Sequence, residues 1–163
     1  MGTKTGDRNQ VRIRIRRLTL RDLDEVMDIE RHSFDCPWSY DDFTASKRRL
    51  SAHNKAIIID NELVGYFIYS KHPIHIEINN FAIRWDYRCQ GIGRQVIDFL
   101  IANLGKGALI SMVVSEYNLD CQLFLKACGF KCIGVLKDHY EEVTADAYEF
   151  IYDNDYCWPE VSS

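Results

Sequence analysis

The segment from Ile74 to Ile83 constrains this chain more than any other. Its large apolar residues fall at even positions (Ile74, Ile76, Ile78) and then at odd ones (Phe81, Ile83). Side chains of a strand alternate between faces with a period of two, so a regular strand cannot offer both sets to one core. One inserted residue reconciles them, and the pattern predicts a β-bulge at Asn79-Asn80. A bulge leaves backbone N–H and C=O groups unpaired, where a ligand can take them. Burial of both faces accounts for the parity equally well, so the segment alone does not choose.

The next stretch of chain tips the balance. Arg88-Cys89-Gln90-Gly91-Ile92-Gly93-Arg94 joins the strand directly to a long helix. Two glycines two apart let backbone approach a ligand closely. A helix start aims unpaired N–H groups and the positive end of the dipole at a phosphate or pyrophosphate. A P-loop is excluded, because Gly93 is followed by Arg94-Gln95 and not by Lys-Ser/Thr. A dinucleotide fingerprint is excluded by Val96 where its third glycine belongs.

The rest of the chain alternates element types. Val11, Ile13 and Ile15 alternate with arginines in a first strand. Thr19 and Asp22 cap a helix carrying Leu20, Leu23, Val26, Met27 and Ile29 or Glu30, which Pro37 breaks. Ser39-x-x-Asp42 starts a second helix reaching about Leu50. Strands are expected at 55–60 and 62–70, turning at Asp60-Asn61, then at 74–84, 108–115, 130–137 and 146–153. Helices are expected from about Gly91 to Leu104 and over 118–128. With 163 residues the chain makes one domain over 11–163, preceded by a disordered arm at 1–10.

Acids outnumber bases 24 to 20, which argues against gripping nucleic acid with the whole surface. The charge is segregated, however. Residues 1–21 are basic, whereas 138–163 hold eight acids and no Lys or Arg: Asp138, Glu141, Glu142, Asp146, Glu149, Asp153, Asp155 and Glu160. Either the two ends pair, or they are solvated, or the acidic end attracts a cationic partner. The six cysteines form no Cys-x-x-Cys pair and keep no ligand-like spacing to histidine, so thiols and no metal are expected. No secretory signal or long apolar window is present, so a cytoplasmic protein without membrane attachment is expected.

Arg88-x-x-Gly91-x-Gly93, after a bulged strand and opening a helix, resembles the Arg/Gln-x-x-Gly-x-Gly/Ala loop of the GNAT acetyltransferase superfamily. Asn118 with Phe124-x-x-x-Cys128-Gly129-Phe130 resembles a later segment of the same family. Within it, three features resemble the RimI group, which acetylates the N-terminal alanine of a ribosomal protein. They are Pro37-Trp38-Ser39 with Phe43, Asp86-Tyr87-Arg88, and His139-Tyr140 with Asp146-Ala147. The resemblance covers about residues 11–153. It implies an α/β (α+β) GNAT fold: a single mixed, mostly antiparallel sheet, splayed between the fourth and fifth strands and flanked by helices.

It also implies acetyl transfer from acetyl-CoA to an amine, preferably a protein N-terminus. Phe81, Ala82 and Ile83 would hold the pantetheine arm like an added strand, one of their N–H groups polarising the thioester carbonyl. Arg88, Cys89, Gln90, Gly91, Ile92, Gly93 and Arg94 would wrap the pyrophosphate, and Asn118 would bond the pantetheine from the other side. Trp38 and Tyr140 would shape the acceptor site. The chain departs from the RimI pattern twice: the group's Glu on the fifth strand falls at Val113, and its Tyr acid at Leu125. Glu77, eleven residues before Arg88, is the expected substitute base. Acetylation of a small amine or antibiotic, and a non-catalytic acyl-CoA-binding domain, are the rival readings. On this fold the acidic end would rim the acceptor cleft.

Overall fold

The computed structural model describes residues 11–140 and 145–154. The expected N-terminal arm, Glu141, Glu142, Asp155, Cys157 and Glu160 lie outside them. The chain runs β1 (Arg14–Arg17), a 3-10 turn (Leu20–Asp22), α1 (Leu23–Arg31), α2 (Tyr40–Arg48), β2 (Ala52–Ile59), β3 (Glu62–His72) and β4 (His75–Ile83). After a second 3-10 turn (Trp85–Tyr87) come α3 (Ile92–Ala102), β5 (Leu109–Ser115), α4 (Leu119–Ala127), β6 (Lys131–Tyr140) and β7 (Ala145–Asp153). The seven strands form one sheet in the order β1-β2-β3-β4-β5-β7-β6, antiparallel except for the β4–β5 pair.

Local chemistry explains most boundaries. Asp60 and Asn61 both take positive φ, 48° and 68°, the backbone of a two-residue hairpin turn whose twist suits the flanking strands. Ser39 caps α2, accepting the Asp42 N–H at 3.2 Å while the Asp42 carboxylate accepts from the Ser39 N–H at 2.8 Å. β1 starts later than its alternation predicts. The Val11 carbonyl accepts from the Gln95 side-chain amide of α3 at 2.7 Å, and Gln95 Oε1 accepts the Ile13 N–H at 3.4 Å.

The predicted bulge is present, with Asn79 as the extra residue. Ile68 of β3 pairs with Asn80, and the next residue, Tyr69, pairs with Ile78. The parity problem is solved as expected, since Ile76, Ile78, Phe81 and Ile83 all meet one core, together with Val96, Ile97 and Leu100 of α3 and Leu125 of α4. Ala82 faces the second core, where Leu23, Val26 and Ile29 of α1 and Phe43 of α2 pack on Tyr66 and Ile68. Pairing of β4 with β5 runs only from His75–Leu109 to Ile78–Met112, and beyond it the two strands part.

Among the described residues the strands that carry the basic and acidic ends lie apart. β1 is one edge of the sheet, and β7 lies five strand spacings away, about 24 Å. Arg16 is instead held by Asp22 through two 2.8 Å contacts, and Thr19 donates its N–H and hydroxyl to the same carboxylate. The bidentate Arg16 guanidinium keeps the Asp22 carboxyl well below the usual carboxylate range.

This packing makes stability sensitive at two positions. A Cβ on Gly65 would stand 2.7 Å from the Ala82 carbonyl oxygen and 3.1 Å from Ile57 Cδ1, so Gly65→Ala should destabilise by about 1–3 kcal/mol in denaturant melts. Because the folded Asp22 has the lower pKa, its stabilisation is complete above about pH 4 and lost as pH falls through the folded value. Asp22→Asn should cost about 1–2 kcal/mol at pH 7 and flatten the acid limb of the stability curve.

Candidate active site

The opening between β4 and β5 places an unpaired strand edge beside a helix start. The Arg84 N–H donates to the Val64 carbonyl of β3 at 2.8 Å. Alternation therefore turns the peptides of Phe81 and Ile83 the other way, into the opening, and that of Ala82 toward β3. Of the three residues expected along a pantetheine arm, Phe81 and Ile83 offer backbone groups, while Ala82 contributes a buried side chain. The Ile83 carbonyl is already taken by Arg88 Nε at 2.8 Å.

At the far end of this edge, Cys89 and Gly91 take positive φ, 59° and 78°, and Gly91 caps α3. The first helical bond is Gln95 N–H to the Gly91 carbonyl at 3.2 Å. Among the described residues the amides of Cys89, Gln90, Gly91, Ile92, Gly93 and Arg94 have no acceptor. Such a run of N–H groups at the positive end of a helix suits a pyrophosphate.

The side chains of the loop do other work. The Arg88 guanidinium bonds the Ile83 carbonyl and Ser33 Oγ (3.0 Å), bracing β4 against the end of α1. Arg94 pairs with Asp98 at 3.1 Å and bonds the Ala127 carbonyl at the end of α4. Gln90 bonds the Asp86 carbonyl. Gly93 is small because of packing, since a Cβ there would meet the Phe124 ring at 2.9 Å. Ile92 is buried in the core and Cys89 is exposed.

Asn118 caps α4, accepting the Cys121 N–H on Oδ1 at 3.1 Å, and its amide nitrogen has no partner among the described residues. Burial pushes the Cys121 thiol up to about 12. Burial also raises the Tyr140 phenol, with Cys121 of α4 and Cys36 of the α1–α2 loop adding to it. Tyr140 stands at the end of β6, across from Ala145 of β7.

The sheet face toward α1 and α2 holds the remaining chemistry. The core on this side stops at β4, so β5 and β7 contribute none of its buried residues. Glu77 pairs with Ser111 of β5 and with Ser70 of β3, two residues before the extra residue Asn79, at the apex of the opening and half-buried. His75 Nε2 lies 2.6 Å from Ser111 Oγ. Val113 lies beside the opening, and its cross-strand partner on the same face is Glu149 of β7, also half-buried. Neither Glu77 nor Glu149 has a hydrogen-bond or ion-pair partner among the described residues. Asp146, by contrast, is taken by Lys137 at 2.6 Å. Leu125 is fully buried in the core.

Trp38 is anchored in the α1–α2 loop, its ring packing edge-on to Phe43 at 5.3 Å. Its backbone N–H donates to Glu30 Oε1 at 2.7 Å. The sequence pattern assigns no role to Glu30, which is buried at 1% exposure and bonded to Tyr66 and Asn80 as well. One signal was available: Glu30 stands four residues after Val26 and seven after Leu23, on the apolar stripe of α1.

The model of the acetyltransferase (GNAT) family matches residues 23–130. A Bacillus subtilis (strain 168) protein, for which the activity of a ribosomal protein bS18-alanine N-acetyltransferase is proposed, is 29% identical over 136 residues, covering 82% of this chain and 90% of that protein. The N-alpha-acetyltransferase RimI of Mycobacterium tuberculosis is 25% identical over 137 residues, covering 80% and 86%. The crystal structure of the Escherichia coli ribosomal-protein-S18-alanine N-acetyltransferase superposes with a TM-score of 0.77 at 20% identity, over 93% of this chain and 100% of that one. The fold, the splayed sheet and the match over most of the chain agree. The chain belongs to the GNAT family of acetyltransferases.

Proposed function

We propose that the chain moves an acetyl group from acetyl-CoA to the α-amino group of a protein N-terminus in the cytoplasm. One observation carries this reading. The unpaired edge of Phe81 and Ile83 runs from the free amides of α3 to a face bearing two unpartnered, half-buried carboxylates. In this reading the pantetheine arm lies along that edge, with the Asn118 amide opposite and the pyrophosphate on the amides of residues 89–94. Arg88 and Arg94 act through the backbone they hold in place.

Glu77 is the proposed base. An α-amino group loses its proton near pH 8, more readily than a lysine, and a carboxylate directly or through water can take it. The amine then attacks the thioester carbon, and the carbonyl oxygen gains charge against the Phe81 N–H. The C–S bond breaks, the nitrogen releases its second proton to solvent to leave the amide, and the thiolate of CoA, with a pKa of about 8.5, takes a proton from solvent. No acid at Leu125 is needed. Trp38, through its loop, and Tyr140 border the acceptor, and Glu149 supplies negative charge beside its path.

The first acceptor to try is an alanine-starting peptide of ribosomal protein bS18, the substrate in the relatives' names. Release of CoA with acetylation of its N-terminus is the expected result. Tight CoA binding with no turnover on any amine would leave the non-catalytic reading standing, motivated by Val113 and Leu125. Glu77→Gln should lower the rate at least about a hundredfold and leave CoA affinity intact, and an unchanged pH–rate profile refutes the assignment. The acceptor KM should rise with ionic strength, and Glu149→Gln should raise it and weaken that dependence. A salt-independent KM would make the acidic end a solvated surface.

A further inference from the structure

We infer that Glu30 is a positioning residue that works in its neutral form, locking the α1–α2 loop to the β4 bulge. The inference rests on the reading above that this loop borders the acceptor. Glu30 joins the pieces that reading needs. Its carboxyl accepts the Trp38 N–H of the loop at 2.7 Å and the Asn80 side-chain amide at 3.2 Å on both oxygens, and it contacts the Tyr66 hydroxyl on Oε2. Asn80 stands between the extra residue of the bulge and Phe81, whose peptide faces the opening.

Counting protons assigns the protonation state. The Tyr66 hydroxyl has one proton and two acceptors in reach, Glu30 Oε2 and Asn80 Oδ1 at 3.3 Å. If Glu30 carries a proton, it donates to Tyr66, Tyr66 donates to Asn80, and Asn80 donates back to Glu30, closing a ring. If Glu30 is ionised, Tyr66 must donate to it, and the Asn80 oxygen is left facing lone pairs. No Lys or Arg among the described residues pairs with Glu30. Burial, the largest effect, pushes its carboxyl up and Asp42 adds to it, against the Trp38 N–H and the Asn80 amide, whose hydrogen bonds draw it down. A buried ring of this kind has one arrangement that satisfies every member, so it fixes geometry more tightly than apolar packing does.

Glu30→Gln is the neutral mimic. Its amide nitrogen can donate to Tyr66, and its oxygen can accept from Trp38 and Asn80. Glu30→Met fills similar space and cannot close the ring, and Tyr66→Phe opens the ring while keeping the aromatic packing of the core. We expect the acceptor KM to rise about tenfold or more in Glu30→Met and in Tyr66→Phe, with the acetyl-CoA Kd within about twofold of wild type. Glu30→Gln should stay within about twofold on both counts. An equal loss in Gln and Met would overturn the neutral assignment. A parallel loss of acetyl-CoA affinity, or an unchanged acceptor KM in Tyr66→Phe, would overturn the positioning role. Hydrogen exchange at the Trp38 amide supplies a readout independent of turnover. Protection kept in Gln and lost in Met and Phe supports the ring even if no peptide is acetylated, in which case the acceptor reading alone has failed.

Discussion

One residue in excess, Asn79, sets the whole arrangement. Before it, β4 is paired on both sides; after it, β4 is paired with β3 alone. Without the insertion, Phe81 and Ile83 would turn away from the core they share with α3 and α4. They would instead point at α1, where Ala82 fits and a phenylalanine would not. The same shift puts Asn79 and Asn80 on the side of α1, where Asn79 accepts from Ser70 Oγ at 2.8 Å and Asn80 reaches Glu30. Opening the sheet, turning its core and tying in the α1–α2 loop are therefore consequences of one insertion.

The two halves of the site use different parts of the chain. On the proposed cofactor side the groups left without partners among the described residues are backbone: those of Phe81 and the Ile83 N–H on the strand edge, and the amides of residues 89–94 at the start of α3. Of the charged side chains nearby, Arg88 holds the Ile83 carbonyl, and Arg94 pairs with Asp98 and the Ala127 carbonyl. Cofactor affinity on this plan depends on backbone conformation, as the positive φ of Cys89 and Gly91 requires. On the proposed acceptor side the groups without partners among the described residues are side chains, Glu77 and Glu149, and the α1–α2 loop is tied to β4 through Glu30 and Asn80.

Features carried by neighbouring residues were legible in advance. The parity break, the Asp60-Asn61 turn, the Ser39 cap and the glycine loop depend on local alternation, local φ and local hydrogen bonds, and each appears where expected. Features that depend on a distant partner were not. The partners that Arg88 and Arg94 find within the chain, Ser33 and the Ile83 carbonyl for one and Asp98 and the Ala127 carbonyl for the other, depend on the fold. Gly93 reads as a close approach to ligand, whereas Phe124 of α4 is what excludes a side chain there. Glu149 reads as one acid in a run of eight, and only the register of β7 on β5 sets it across from Val113.

The sequence by itself determined the order of elements, the bulge and the anion-seeking helix start, because each follows from periodicity or backbone geometry within about ten residues. Tertiary structure decided which peptides face the opening, which charges remain free and which carboxyl stays protonated. Those outcomes depend on burial and on partners brought together from α1, β3, β4 and the loop after α1. Glu30, Tyr66 and Asn80 are each ordinary polar residues in a one-dimensional reading. Their chemistry arises only when folding removes water from all three together, leaving each with the others as its partners.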